Sequence, residues 1–174
     1  MEKILVGIVV GSDSDLAVIA DTAKILDEFG VAYTVSIASA HRTPDKVHTF
    51  ITSCQDNGAK VFIAAAGMAA ALPGVVASAT VLPVIGVPIL GKTLDGMDAL
   101  LSIVQMPPGI PVATVAIGSA GAKNAALLAL VILATSDASI KAKLIKYRKK
   151  MSDSVKEKDD QLQKNGIASM IAKK

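Results

Sequence analysis

Short apolar runs alternate with amphipathic segments along most of the chain. Near-continuous aliphatic runs, typical of strands buried on both faces of a parallel sheet, occupy residues 4–10, 32–38, 60–66, 83–87 and 112–117. Apolar residues spaced three or four positions apart predict helices at residues 15–29, 44–57, 72–80, 94–104 and 122–135. Gly30 and Gly58 follow the first two helices, as glycine commonly does where a helix ends. The pattern therefore predicts a repeated strand-helix unit.

Repeated strand-helix units predict a parallel sheet with right-handed crossovers and helices on both faces. We expect an α/β fold, a three-layer α/β/α sandwich with a parallel sheet of the flavodoxin-like type, followed by a C-terminal helix. The pattern leaves the order of the strands open. We assign residues 1–136 to the α/β domain that carries the candidate chemistry. Residues 137–174 form a basic amphipathic helix and tail of the same single-domain protein.

The tail carries most of the positive charge. Residues 1–136 have 7 basic and 10 acidic side chains, whereas residues 137–174 have 11 basic and 5 acidic ones. Aromatic residues make up only 3% of the chain, so stacking surfaces for bases are missing and we expect no nucleic-acid partner. An apolar stripe predicts that the tail helix packs against the body or a neighbouring subunit. Its members are Ile140, Leu144, Tyr147, Met151 and Val155.

Composition bears on the oligomeric state of the protein and on its cellular compartment. Its 174 residues are 52% hydrophobic and mostly aliphatic, a surplus that indicates an oligomer. Cys54 is the only cysteine, which excludes an intrachain disulfide and fits a reducing compartment. It lies in a predicted helix, where we expect a core position rather than a nucleophile. We find no signal peptide and no unbroken apolar span, so we expect a cytoplasmic protein without a membrane partner.

The first polar turn, residues 11–15, follows the first strand. Ser12 and Ser14 bring two hydroxyls to the start of a helix, whose free N–H groups favour an anion. Asp15 would repel a phosphate placed on it, so ribose hydroxyls are its better ligand. Plain helix capping by Ser and Asp is the alternative interpretation of the same residues.

The second polar loop, residues 39–44, follows the second strand. Arg42 suits bidentate binding of a phosphate, and the imidazole of His41 suits proton transfer. Ligands of open α/β sheets bind at the carboxyl ends of strands, which is where both loops lie. We expect a site for a small anionic molecule, with Thr43 as the N-cap of the following helix. The alternatives are a structural His41 and a surface ion pair for Arg42. The other histidine, His48, is expected to be a surface or packing residue.

The third loop, residues 67–74, has no ionisable group, and its small residues permit close approach to a planar ligand. A purely packing role explains the same residues equally well. No zinc-ligand spacing, G-x-G-x-x-G fingerprint or P-loop occurs, so neither a metal nor a dinucleotide is expected.

The chain resembles class I PurE, the 5-(carboxyamino)imidazole ribonucleotide mutases of purine biosynthesis, from about residue 4 to residue 134. The resemblance rests on five motifs in order. They are Gly-Ser-Asp-Ser-Asp at 11–15, Ser-Ala-His-Arg-Thr-Pro at 39–44, Ala-Leu-Pro-Gly at 71–74, Ser-Ile-Val-Gln-Met-Pro at 102–107 and Lys-Asn-Ala-Ala-Leu-Leu at 123–128.

The resemblance implies a rearrangement without metal or organic cofactor, in which the substrate carbamate loses carbon dioxide that is re-added at ring carbon 4. It implies His41 as general acid and then base, and a homo-octamer in the cytoplasm. It also implies a ribonucleotide site in which Ser12, Ser39 and Arg42 hold the phosphate and Asp15 the ribose. Further substrate contacts are implied for Ser14, Ala40, Gly67, Met68, Ala71 and Leu72.

The third loop departs from the family pattern, Gly-Gly-Ala-Ala-His-Leu-Pro-Gly. Here Met68 replaces a glycine and Ala71 replaces a histidine that lines the pocket in the family. The Gly-Met-x-x-Ala-Leu-Pro pattern is also similar to the PurE-related domain of LarB, a nicotinate-nucleotide carboxylase. Three alternatives therefore stay open: a direct aminoimidazole ribonucleotide carboxylase, a LarB-like carboxylase, and a nucleotide-binding protein that has lost catalysis.

Overall fold

The computed structural model describes residues 3–171. The chain divides into two compact units, Met1–Leu133 and Ala134–Lys174. All strands of the described residues belong to the first unit. They are β1 (Val6–Val10), β2 (Tyr33–Ile37), β3 (Val61–Ala66), β4 (Val84–Pro88) and β5 (Ala113–Thr114).

The strands form one parallel sheet in the order β2-β1-β3-β4-β5. This is the flavodoxin-like order, and it confirms the predicted fold class. The chain runs outward from β1 to β2, returns to β3, and then proceeds to the other edge. The carboxyl ends of β1, β2 and β3 are therefore neighbours, because β1 lies between the other two.

Helices cover both faces of the sheet. The first unit contains a short 3-10 helix (Asp13–Asp15) and five α-helices: α1 (Leu16–Phe29), α2 (Pro44–Asp56), α3 (Leu72–Ser78), α4 (Met97–Val104) and α5 (Gly118–Leu133). Helices α1 and α5 pack against each other on one face, whereas α2, α3 and α4 pack on the other. The three-layer sandwich is thus confirmed.

The core explains why the central strands are so apolar. All residues of β1, β3 and β4 are buried, because helices cover both sides of these strands. Phe62 fills the space above Gly7, where an added Cβ would lie 2.6 Å from the ring. Cys54 is 3% exposed in the same cluster, and burial raises the pKa of its thiol to about 11. The expectation of a core cysteine is confirmed.

Strand β2 corrects one prediction. The run over residues 32–38 predicted a buried strand, yet Val35 and Ile37 are 40% and 41% exposed. The reason is the strand order: β2 is an edge strand and has a neighbour on one side only. A hydrophobic run cannot by itself distinguish a central strand from an edge strand.

Several boundaries also differ from the prediction; for example, α5 begins at Gly118 rather than residue 122. The fourth helix begins at Met97 rather than residue 94, because Asp95 and Gly96 have left-handed backbone angles (φ 50° and 82°) that no α-helix accommodates. Strand β5 covers only Ala113–Thr114 of the predicted residues 112–117. The last hydrogen bond between this segment and β4 is donated by the Val115 amide to the Gly86 carbonyl oxygen.

The second unit contains α6 (Ala138–Ile171), interrupted at Gly166, whose φ of 71° and ψ of 165° are not helical. Of the predicted apolar stripe, Ile140 and Leu144 are buried, whereas Met151 and Val155 are 55% and 66% exposed. The stripe therefore holds over its first turns only. No helix of the described residues is long and apolar enough to span a membrane.

Candidate functional site

A cleft of about 370 Å³ opens at the carboxyl edge of the sheet, beside β1 and β2. It combines residues of the first and second polar loops, which the strand order makes neighbours. The cleft is lined by Gly11, Ser12, Asp13, Ile37, Ala38, Ser39, Arg42, Thr43 and Lys46. The structure thus brings together three predicted site residues, Ser12, Ser39 and Arg42.

Hydrogen bonds within the first loop fix its shape. Ser12 is the N-cap of the 3-10 helix, and its Oγ accepts a hydrogen bond from the Ser14 amide at 3.4 Å. Asp13 Oδ1 accepts from Ser12 Oγ and from the Ser14 amide, both at 3.0 Å. The capping interpretation is therefore realised for Ser12. Ser12 Oγ also accepts a hydrogen bond from Ser14 Oγ at 3.0 Å, and Ser12 lines the cleft.

Asp15, the last residue of this loop, is 7% exposed. Burial raises the pKa of its carboxyl above the ordinary 3.8, while hydrogen bonds with Ser14 and the Ser12 backbone act in the opposite direction. Its Oδ2 would lie 3.8 Å from a Cβ placed on Gly11, so the carboxylate is close to the cleft wall although it does not line the cleft. A buried carboxylate near a polar loop is typical of functional sites.

Hydrogen bonds of the Thr43 and Ser39 side chains hold the second loop in place. Thr43 is the N-cap of α2, as predicted, but its side chain does not cap the helix. Instead, Thr43 Oγ1 accepts a hydrogen bond from the Ser39 amide at 2.9 Å. Ser39 Oγ in turn accepts from the Arg42 amide at 3.2 Å. These bonds hold the backbone between Ser39 and Thr43 in a compact turn.

Arg42 connects the two loops. Its Nη2 donates to the Gly11 carbonyl oxygen at 3.5 Å, across 31 positions of sequence. Within residues 3–171 its guanidinium group makes no ion pair, so the alternative of a surface carboxylate partner is not realised there. Most of its five N–H donors stay available to a ligand.

His41 and Ala40 lie in the same turn but do not line the cleft. His41 is exposed, and Ala40 is half-buried against the core. An exposed imidazole beside the cleft can meet a ligand that extends beyond it. His48 is exposed on α2, which agrees with the expected surface position.

The third loop lies outside the cleft lining. Met68 is 73% exposed and has a φ of 57°, a left-handed conformation that favours glycine. Ala71 is half-buried at the start of α3, and Gly67 is half-buried against Ile89. Leu72 is 2% exposed, so it is not accessible to a ligand in the single chain.

Sequence reasoning missed Lys46 and Asp13, which both line the cleft. For Lys46 a signal was present, since it follows Arg42 by four positions at the start of a predicted helix. Asp13 was part of the quoted motif but received no role. Within residues 3–171, no three His, Cys, Asp or Glu side chains form a group that could hold a metal ion.

Residues 5–154 match the model of a protein family described as AIR carboxylase. The N5-carboxyaminoimidazole ribonucleotide mutase of Pyrococcus horikoshii is 58% identical over 165 residues, which are 95% of this chain and 92% of that protein. The mutase of Thermotoga maritima is 50% identical over 169 residues, 97% of this chain and 98% of that protein.

One relative has a different name. The phosphoribosylaminoimidazole carboxylase of Schizosaccharomyces pombe is 53% identical over 166 residues, which are 95% of this chain but 30% of that protein. Among solved structures, Treponema denticola PurE aligns with a TM-score of 0.81 at 30% identity, over 94% of this chain and 99% of that one. A substituted Treponema denticola PurE2 aligns with a TM-score of 0.84 at 31% identity, over 92% and 98%.

Proposed function

The chain belongs to the AIR carboxylase family, and on this premise we propose that it is an N5-carboxyaminoimidazole ribonucleotide mutase of purine biosynthesis, an isomerase. The observation that carries the proposal is the cleft that joins Ser12, Ser39 and Arg42, three family-matched residues from two distant loops. Full-length relatives named as mutases, at 50–58% identity, support the same reaction.

In this proposal the cleft holds the phosphate of the ribonucleotide. The Arg42 guanidinium and the hydroxyls of Ser12 and Ser39 provide charge-assisted and neutral donors from both loops. Asp15 accepts hydrogen bonds from the ribose hydroxyls, and Ser14, which donates to Asp15 Oδ1 at 3.2 Å, orients that carboxylate. With the phosphate anchored there, the imidazole ring of the substrate extends toward His41 and Ala40.

His41 is the proposed proton carrier. As the carbamate C–N bond breaks, carbon dioxide leaves and the imidazolium of His41 protonates the exocyclic nitrogen. Carbon dioxide then forms a C–C bond with ring carbon 4, and neutral His41 removes the proton from that carbon. The proton returns to His41, so the residue is regenerated. A group that acts as acid and then as base must both release and accept a proton, which an imidazole can do.

The third loop is proposed to retain carbon dioxide. Gly67, Met68, Ala71 and Leu72 present backbone and apolar atoms, without an ionisable group that would favour bulk water. Loss of the family histidine at Ala71 leaves His41 as the only imidazole of the predicted site. The mechanism above uses only His41 and is compatible with this loss.

We further propose a cytoplasmic homo-octamer that needs no cofactor. Exposed apolar side chains on α4 support an oligomer, since Met97, Leu101 and Val104 share one face and are each about half exposed. In such an assembly the third loop and the exposed apolar residues would meet a neighbouring copy.

A substrate comparison tests the function. Purified protein is given 5-(carboxyamino)imidazole ribonucleotide alone, or aminoimidazole ribonucleotide with bicarbonate. We expect rapid formation of 4-carboxy-aminoimidazole ribonucleotide from the first substrate. Efficient turnover of the second set only would instead identify a direct carboxylase, which the name of the Schizosaccharomyces pombe relative favours as the second candidate. Binding without turnover would identify a LarB-like or inactive protein.

A further inference from the structure

Lys46 is a cation of the cleft that the roles above leave unused. It lies in the first turn of α2, one helical turn after Arg42, and its side chain lines the cleft. The ion pairs of residues 3–171 join Lys123 to Asp21 and Lys149 to Asp153, so the Lys46 ammonium group is unpaired.

The position of Lys46 is electrostatically unfavourable in the absence of a ligand. The amino end of a helix carries a partial positive charge and favours acidic side chains in the first turn. Here Arg42 precedes the N-cap, Thr43, and Lys46 follows it, whereas the first turn has one acidic residue, Asp45. Two cations at this end of α2 raise the local positive potential, which a bound anion would relieve.

The opposite wall offers little compensation. Asp13 is the only acidic residue of the cleft lining, and its Oδ1 is engaged by Ser12 Oγ and the Ser14 amide. The charged side chains that line the cleft are therefore two cations and one hydrogen-bonded carboxylate. The lining thus has a net charge of +1, which favours an anionic ligand.

We propose that Lys46 is a second cationic ligand of the substrate phosphate and that, with Arg42, it makes the cleft select a phosphate dianion. The inference rests on the proposed function, because it deepens the phosphate assignment of the same cleft. A phosphate monoester loses its second proton near pH 6 and is mainly a dianion at neutral pH. Arg42 balances one of these charges, and Lys46 balances the other.

Binding of ribose 5-phosphate and of ribose, measured by calorimetry, tests the proposal without requiring turnover. The proteins are the wild type, K46Q, K46R and the control K60Q. Lys60 is exposed and precedes β3, at the amino ends of the strands and opposite the carboxyl ends where the cleft opens. We expect K46Q to bind ribose 5-phosphate about 10-fold more weakly, as for a lost charge-assisted contact. K46R should retain most of the affinity, and K60Q all of it.

Salt and pH separate a phosphate contact from a structural role. The difference between wild type and K46Q should shrink between about 0.05 M and about 0.5 M salt, because screening weakens exposed charge pairs. It should also shrink as the pH falls below about 6, where the ligand becomes a monoanion. Equal affinities of K46Q and K60Q for ribose 5-phosphate would overturn the proposal. So would a loss of affinity in K46Q that stays the same at every salt concentration and pH.

Kinetics keeps this inference distinct from the proposed function. If the wild type converts 5-(carboxyamino)imidazole ribonucleotide, K46Q should raise KM with kcat unchanged, since the contact is made equally in ground and transition states. An unchanged KM would overturn the role of Lys46 and leave the mutase intact. If the wild type shows no turnover but binds ribose 5-phosphate in a Lys46-dependent way, the mutase proposal fails and the phosphate role of Lys46 is supported.

Discussion

Arg42 Nη2 donates a hydrogen bond to the carbonyl oxygen of Gly11 and thereby joins the loops that follow β2 and β1. At 3.5 Å the bond is long, so it restrains the guanidinium group weakly and leaves it free to turn toward a ligand. The same arginine is anchored at its backbone, where its amide donates to Ser39 Oγ. A fixed backbone with a movable cation suits a residue that closes on an anion.

Replacement of Arg42 should therefore weaken ligand binding. We expect R42A to lose about 1.5–3 kcal/mol of binding free energy for the ribonucleotide, as for a hydrogen bond to a charged group. Calorimetric titration with aminoimidazole ribonucleotide measures this loss. The matched control is R148A, because Arg148 is the only other arginine and lies on α6. Equal affinities of R42A and R148A would contradict the phosphate assignment.

Replacement of His41 should separate binding from chemistry. We expect H41N to abolish turnover and leave affinity for aminoimidazole ribonucleotide largely unchanged, because asparagine can hydrogen-bond but cannot carry a proton near pH 7. H48N is the control, since His48 is the other histidine and is exposed on α2. Normal turnover by H41N would remove this residue from the mechanism.

The burial of Asp15 predicts that its carboxylate lowers the stability of the fold although the proposed ligand needs it. Because burial raises the pKa of its carboxyl, folding favours the protonated form, and the stability that this form contributes is lost as pH rises through the folded-state pKa. At pH 7.5, well above 3.8, burial of this carboxyl therefore lowers the stability of the fold. We expect D15N to unfold at higher urea concentration than the wild type at this pH, with a gap that closes toward the ordinary pKa of 3.8.

The cost of the D15N change should appear in binding. If Asp15 accepts hydrogen bonds from the ribose, D15N should bind the ribonucleotide more weakly although its free energy of unfolding is larger. D13N provides the stability control, since Asp13 is exposed. A D15N protein that is less stable than the wild type at pH 7.5 would contradict the argument from burial.

Met68 occupies a backbone conformation that suits glycine, the residue of the family pattern. At a φ of 57° its Cβ crowds the following carbonyl oxygen. We expect M68G to stabilise the fold by about 0.5–1 kcal/mol, the relief of strain being partly offset by the larger entropy of glycine in the unfolded chain. Urea denaturation measures the gain. M68A, which keeps a Cβ in the same conformation, should show no such gain.

Periodicity predicted the elements well because each depends on local properties. Alternating apolar runs and amphipathic segments indicated every strand and α-helix of the first unit, but not its short 3-10 helix. Gly30 ends α1 with the left-handed angle expected of it. The errors have physical causes outside the local pattern. The exposure of Val35 and Ile37 depends on the strand order, and the late start of α4 depends on the left-handed angles at Asp95 and Gly96.

The candidate site divides in the same way between sequence and structure. From sequence alone followed a parallel α/β fold and a set of residues with suitable chemistry, because strand burial, helix periodicity and side-chain functional groups are properties of short segments. Tertiary structure decided the rest. The order β2-β1-β3 places the first two polar loops side by side, so that Ser12, Ser39 and Arg42 share a cleft to which Lys46 and Asp13 also belong. The tertiary structure also decides that Asp15 is buried, because burial depends on neighbours that are distant in the sequence.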